Sequence, residues 1–203
     1  MGGGKYLKYN REQKLAEQLN LFLIEDLKVA ERDYYSNMNV ASFIKLKTTL
    51  SGINNILTLK VTLGFVNSLS ERLKLSAETK SILISEIQNT KPNTNGYDVE
   101  LSTTQKIIAE VKCNIPINGG DTYGSAQKTG IIKDIKALRE GKSKSNMNPE
   151  GCLKFLVFLD LPEIKTATQK LIKNLDTRDD IIFVNKLTNL TLTDKIYIMY
   201  VNF

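Results

Sequence analysis

Within "IIAEVKC" (residues 107–113) a glutamate and a lysine stand one residue apart in an otherwise apolar run. A strand points alternate side chains to opposite faces, so Ile107, Ala109, Val111 and Cys113 line one side while Ile108, Glu110 and Lys112 line the other. The segment before it contributes Asp98, which a tight turn brings beside the pair. Two carboxylates and an ammonium group converging at the end of a sheet can do specific work. The oxygens of Asp98 and Glu110 suit Mg²⁺, a hard ion that keeps several waters and takes phosphate oxygens as the rest of its shell. Such an ion acidifies a bound water and polarises a phosphate, while Lys112 neutralises developing charge or orients the nucleophile.

Spacing alone does not carry this. Glu-x-Lys occurs five times, at Glu12/Lys14, Glu78/Lys80, Glu110/Lys112, Glu140/Lys142 and Glu163/Lys165. Four of these fall in or at the ends of expected helices, where residues two apart diverge and a solvated surface is the sensible reading. Only Glu110 and Lys112 occupy an expected strand, where a spacing of two sets them side by side.

The elements that must position these residues follow from periodicity and punctuation. "YDVEL" (97–101) alternates and "STTQ" (102–105) turns the chain back into residues 106–113, an antiparallel hairpin. A polar loop (114–124) leads to a helix over 125–140 that Gly141 stops. After the Lys- and Asn-rich loop 141–151, "CLKFLVFLD" reads as a strand buried on both faces. A helix near 163–175 and strands near 181–184 and 195–202 follow. Upstream, residues 10–31 fit an amphipathic helix with Asn10 as its N-cap and Gln13 three residues on. Residues 33–75 read as mostly helical, and Ser76 caps a helix to about Asn89. "NTKPNTNG" (89–96) breaks the chain. The expected fold is α/β (α+β): a single domain over 1–203, with a mixed sheet flanked by helices over 76–203 and a helical N-terminal portion over 1–75.

Composition bounds the chemistry. With 203 residues, 41% hydrophobic and 25% charged, the chain can bury a proper core. Its net charge of +6 and pI near 9.1 suit a polyanionic partner. The absence of histidine excludes ordinary zinc sites and histidine-based triads, and two cysteines do not make a disulfide framework. No signal-peptide-like start is evident, and Tyr6 breaks the myristoylation pattern that "MGGGKY" begins. Apolar runs such as "FLVFL" (155–159) are far short of the roughly 20 residues a membrane span needs. A cytoplasmic protein with no membrane partner is expected.

Taken together, Asp98, Glu110 and Lys112 on adjoining strands resemble the PD-(D/E)XK nuclease superfamily, and within it the type II restriction endonucleases. The resemblance covers roughly residues 76–160: a helix, the hairpin, a helix beginning "GSAQKTG" and the strand "KFLVFL". It departs from the family pattern in that Tyr97 instead of proline precedes Asp98, and in that no segment is assigned to the family's first core strand. What it implies is a restriction-endonuclease-like core in which Asp98 and Glu110 hold Mg²⁺ and Lys112 assists the attacking water. It further implies a homodimer acting on double-stranded DNA, with a twofold enzyme matching a palindromic site. Glu86, on the shoulder of the helix face made by Ile82, Leu83 and Ile87, and Glu100, on the face of Asp98, are candidate extra acids. In the loop after the lysine, Asn114, Asn118, Gly119, Gly120, Asp121, Tyr123, Ser125, Gln127 and Lys128 are candidate DNA contacts. Lys133, Lys136, Arg139, Lys142 and Lys144 are further candidates for phosphate.

Each of these has a plainer reading. Asp98, Glu110 and Lys112 also fit a cross-strand ion pair on an exposed hairpin face, contributing about 0.2–1 kcal/mol. Against that stands their apolar company, since charge at the margin of a covered sheet is expensive unless paired or used. At the level of function, the alternatives are a non-catalytic DNA-binding or assembly module with a nuclease-like fold, and a junction-resolving or repair nuclease.

Overall fold

The structure, a computed structural model, describes residues 10–89, 96–102, 105–117 and 120–203. It divides the chain into two units, residues 1–52 and 53–203. Among the described residues there are six α-helices and one five-stranded mixed sheet: α1 (Arg11–Leu21), α2 (Tyr34–Asn37), α3 (Val40–Leu73), α4 (Ala77–Asn89), β1 (Val99–Ser102), β2 (Lys106–Lys112), α5 (Ser125–Glu140), β3 (Leu153–Leu159), α6 (Pro162–Lys173), β4 (Ile181–Phe183) and β5 (Ile196–Val201).

In the first unit Asn10 caps α1 as its sequence position suggests, its side chain accepting the Gln13 amide at 3.1 Å. The regular helix stops at Leu21, ten residues short of the expected end at 31, and one π turn (Phe22–Asp26) follows. The Asn20 side-chain oxygen accepts the amides of Tyr34 and Tyr35 at 2.9 and 3.1 Å, and Tyr35 packs edge-on against Phe43. None of the described residues in this unit is buried.

The second unit is built on the sheet, whose strand order is β1-β2-β3-β5-β4. β1 runs antiparallel to β2, as the hairpin predicts, while β2, β3, β5 and β4 are parallel. Alternation sorts side chains between two layers. Ile107, Ala109 and Val111 join Phe155, Val157 and Tyr197 in a core that α3 and α4 cover with Val61, Phe65, Leu69 and Leu83. Ile108 joins Leu156, Phe158 and Ile198 in a second core under α5 and α6, closed by Ile131, Ile135, Leu138, Ile164 and Leu171. This explains why β3 is apolar at every position but Lys154: six of its seven residues are buried. Gly141 ends α5 at φ 98°, a backbone region that favours glycine. The Ser76 hydroxyl accepts the Thr79 amide at 3.1 Å at the start of α4.

The C-terminal half of α3 belongs to this core, and close packing there depends on Gly64, where an added Cβ would meet the backbone oxygen of Asn202 at 2.5 Å. Gly64→Ala is therefore expected to destabilise by about 1–3 kcal/mol despite its helix-propensity gain. Gly52→Ala, on the same helix with open space around it, is expected to stabilise by about 0.5–1 kcal/mol. Chemical denaturation of the two variants checks this; equal effects would contradict the packing of α3 on the end of β5.

Candidate active site

β2 presents Ile108, Glu110 and Lys112 to the layer beneath α5, with Ile108 fully buried and Glu110 only 4% exposed. The exposed-hairpin reading is thus corrected for Glu110, which α5 covers, while Lys112 is half-buried and Asp98 remains exposed. The β1–β2 register pairs Val99 with Ala109, and continuing it by one residue sets Asp98 opposite Glu110. β1 begins at Val99, so no strand residue is left to meet the Val111 amide; the Asp98 carboxylate accepts it instead at 2.7 Å. That bond orients the acid toward β2, while its other side stays open to solvent.

Two lysines complete the cluster. Lys112 forms an ion pair with Asp134 of α5, and Lys142, just beyond that helix, forms one with Glu110. The oxygens they meet, Asp134 Oδ2 and Glu110 Oε1, are both buried. Lys142 also donates to the carbonyl of Gly96 at 2.8 Å and sits 5.2 Å from the centroid of the Tyr97 ring. Asp134 is the residue that sequence reasoning missed. Its signal was present: it lies between Ile131, Ile135 and Leu138 on the face of α5 that packs on the sheet, and all four are buried. A carboxylate in an apolar stripe calls for a partner. On sequence Lys142 is a candidate phosphate contact; its pairing with Glu110 depends on a return of the chain that no local pattern shows.

The electrostatics follow from burial. Desolvation, then the charge of Asp98, pushes Glu110 up to about 7; its contact with Lys142 pulls the other way without compensating. Asp98 is raised too, chiefly by desolvation, although its bond from Val111 and the nearby Lys112 and Lys142 oppose this. For Lys112, burial disfavours the charged form, but Asp134, Glu110 and Asp98 outweigh it and leave its pKa above the usual value. Tyr97, desolvated and near Glu110 and Glu100, is pushed up to about 12 and stays a neutral donor, its hydroxyl bonding the carbonyl of Ala137 at 2.8 Å.

The remaining candidates separate. Glu100 turns to the Tyr97 amide, which it accepts at 2.9 Å, and so braces the entry to β1. Glu86 is exposed on α4, whose buried contacts lie in the α3–α4 layer, across the sheet from Glu110. Tyr123 is corrected: it is a core residue, 2% exposed, whose hydroxyl shares a 2.8 Å hydrogen bond with Thr168 of α6. Its ring fills the α5–α6 layer and cannot reach DNA. Gln127 is occupied at both ends, accepting the Gly124 amide at 2.9 Å and donating to the Ile115 carbonyl at 2.7 Å. The Gly120 amide closes a turn onto Ile117 at 3.0 Å. Asn114, Ser125 and Lys128 are exposed, whereas Asn118 and Gly119 lie outside the described residues. Asp121 pairs with Lys170, Lys136 with Glu140 and Arg139 with Asp180, while Lys133 and Lys144 are exposed.

Among the described residues no group of three or more His, Cys, Asp or Glu side chains is placed to hold a metal ion. The fit to Mg²⁺ rests on two. Asp98 is near enough for its charge to raise Glu110, and desolvation raises both acids, which a divalent cation would relieve. A pair of carboxylates leaves room for the waters and phosphate oxygens that this ion favours.

The chain has no match among protein family models, curated proteins or solved structures. No helix among the described residues is long and apolar enough to cross a membrane.

Two outcomes follow from this geometry. Between the ordinary glutamate value of 4.5 and about 7, folded Glu110 keeps a proton that the unfolded chain has released. Stability therefore falls as pH rises through that window. In chelator, the unfolding free energy should drop there by on the order of 3 kcal/mol at most, with a shallower drop in Glu110→Gln, as read by urea titration at each pH. A double-mutant cycle on Lys112→Met and Asp134→Leu should give a coupling of about 1–3 kcal/mol; additive effects would mean the pair contributes no mutual stabilisation.

Proposed function

We propose that the protein is a Mg²⁺-dependent endonuclease acting on duplex DNA, of the PD-(D/E)XK type and nearest in kind to type II restriction enzymes. The observation that carries this reading is the convergence at one end of β2 of buried Glu110, half-buried Lys112 and Asp98, which keeps one side open to solvent and whose charge acts on both of the others. Support also comes from the surrounding order of elements, a hairpin followed by a helix and a parallel strand. Among the described residues β1 forms the sheet edge, with nothing paired outside it.

In this reading Asp98 and Glu110 would hold Mg²⁺, which supplies a nucleophilic water and charge neutralisation on the scissile phosphate. Asp98 is pre-oriented by the Val111 amide. Lys112, kept charged by Asp134, stabilises negative charge developing on the phosphate. Asp134 is a positioning residue that fixes the lysine. Asn114, Ser125 and Lys128 line the exposed segment that follows Lys112 and would meet the DNA backbone. A homodimer on a twofold-symmetric site suits cutting of both strands.

One observation favours a second reading, a nuclease-like fold that binds DNA without cutting: Glu110 and Lys112 each already have an ion-pair partner. Incubating the full chain with long mixed duplex DNA, with Mg²⁺ or with chelator, separates the two. Discrete Mg²⁺-dependent fragments are expected, falling at least about 100-fold in rate in Asp98→Asn and Lys112→Met proteins that retain wild-type circular dichroism. Salt-sensitive binding without cleavage would leave only the second reading, and a structure-selective nick would point to a junction-resolving or repair enzyme.

A further inference from the structure

Lys142 occupies an unusual position for a lysine on a polar loop. The ammonium group meets three cation-favouring groups at once: the buried Glu110 carboxylate, the Gly96 carbonyl and the face of Tyr97. All three border the place where Asp98 and Glu110 come together, since Gly96 and Tyr97 lead directly into Asp98. The route that brings it there is specific. α5 ends at Gly141, whose φ of 98° turns the chain back beneath the helix end, and the Lys142 carbonyl then accepts the Ser145 amide at 3.1 Å to close the next turn. The side chain is 21% exposed and so is not sealed from solvent.

A buried carboxylate beside two others needs a counter-charge in the absence of a metal. Lys142 is the cation in ion-pair contact with Glu110, and it uses the same carboxylate that would ligate a divalent ion. We propose that Lys142 is a resident counter-cation of the Asp98–Glu110 pair, which a divalent ion must displace, so that the turn at 141–145 regulates loading of the site. This rests on the reading that those two acids hold the metal. Its consequence is that the empty site is held together by a partial counter-charge, at the expense of metal affinity.

Mn²⁺, a readable substitute for Mg²⁺, tests this by calorimetric titration of the full chain as wild type, Lys142→Met, Lys142→Arg and Asp98→Asn. Lys142→Met is expected to bind at least about 10-fold tighter than wild type, Lys142→Arg to stay within about 3-fold of it, and Asp98→Asn to lose binding. A second measurement needs no variant: acylation of wild-type lysines by an amine-reactive ester, mapped by mass spectrometry. Labelling of Lys142 should rise at least about 5-fold on adding saturating Mn²⁺, while exposed Lys133 stays constant. Equal or weaker binding by Lys142→Met, or unchanged labelling in a chain that does bind Mn²⁺ through Asp98, overturns the displacement and leaves the metal site standing. Absence of Mn²⁺ binding in both wild type and Lys142→Met overturns the metal site and the displacement together.

Discussion

Charge placed beneath a helix is the constraint around which the second unit is arranged. Glu110 and Asp134 are both nearly removed from water, at 4% and 8% exposure, and an unpaired carboxylate at such a position costs several kcal/mol. Each therefore takes a lysine from a different element. Lys112 ties β2 to α5, and Lys142 ties the chain beyond α5 back to β2 and to the entry of β1. Those two contacts hold the edge hairpin and the helix in one relation, which apolar packing, being non-directional, specifies less tightly.

The same cluster is left short of positive charge. Asp98, Glu110 and Asp134 share it with Lys112 and Lys142, and both Asp98 and Glu110 remain raised in pKa. A purely structural network would gain by neutralising that excess with an apolar replacement. Titratable groups with raised pKa values gathered at the end of a sheet are a common mark of a site that binds or reacts. The loop after β2 and the first turn of α5 fit that role, because they leave Asn114, Ser125 and Lys128 exposed while Gln127 and Tyr123 fasten the segment from behind.

Much of this was legible along the chain. The alternation in 107–113 separates residues that the sheet does send to different layers, and the apolar run at 153–159 is buried on both faces as its composition implies. The helix over 125–140 and its stop at Gly141 match residue for residue. Tyr123 and Gln127 misled because a polar loop supplies residues to two destinations: their hydrogen-bonding ends look alike whether they face DNA or the Thr168 hydroxyl and the Ile115 carbonyl.

The amino-acid order by itself determined the hairpin, the helix after it and the later strands, which face of β2 carries its charges, and the exclusion of histidine chemistry, because these depend on periodicity, turn residues and side-chain inventory within a short window. Only the tertiary structure decided that β5 lies between β3 and β4, that Asp134 meets Lys112 and that Lys142 returns to Glu110. Those pairings join residues brought together by crossing layers of the fold, and the energy that selects them is the desolvation of charge, which exists only once the core has closed around it.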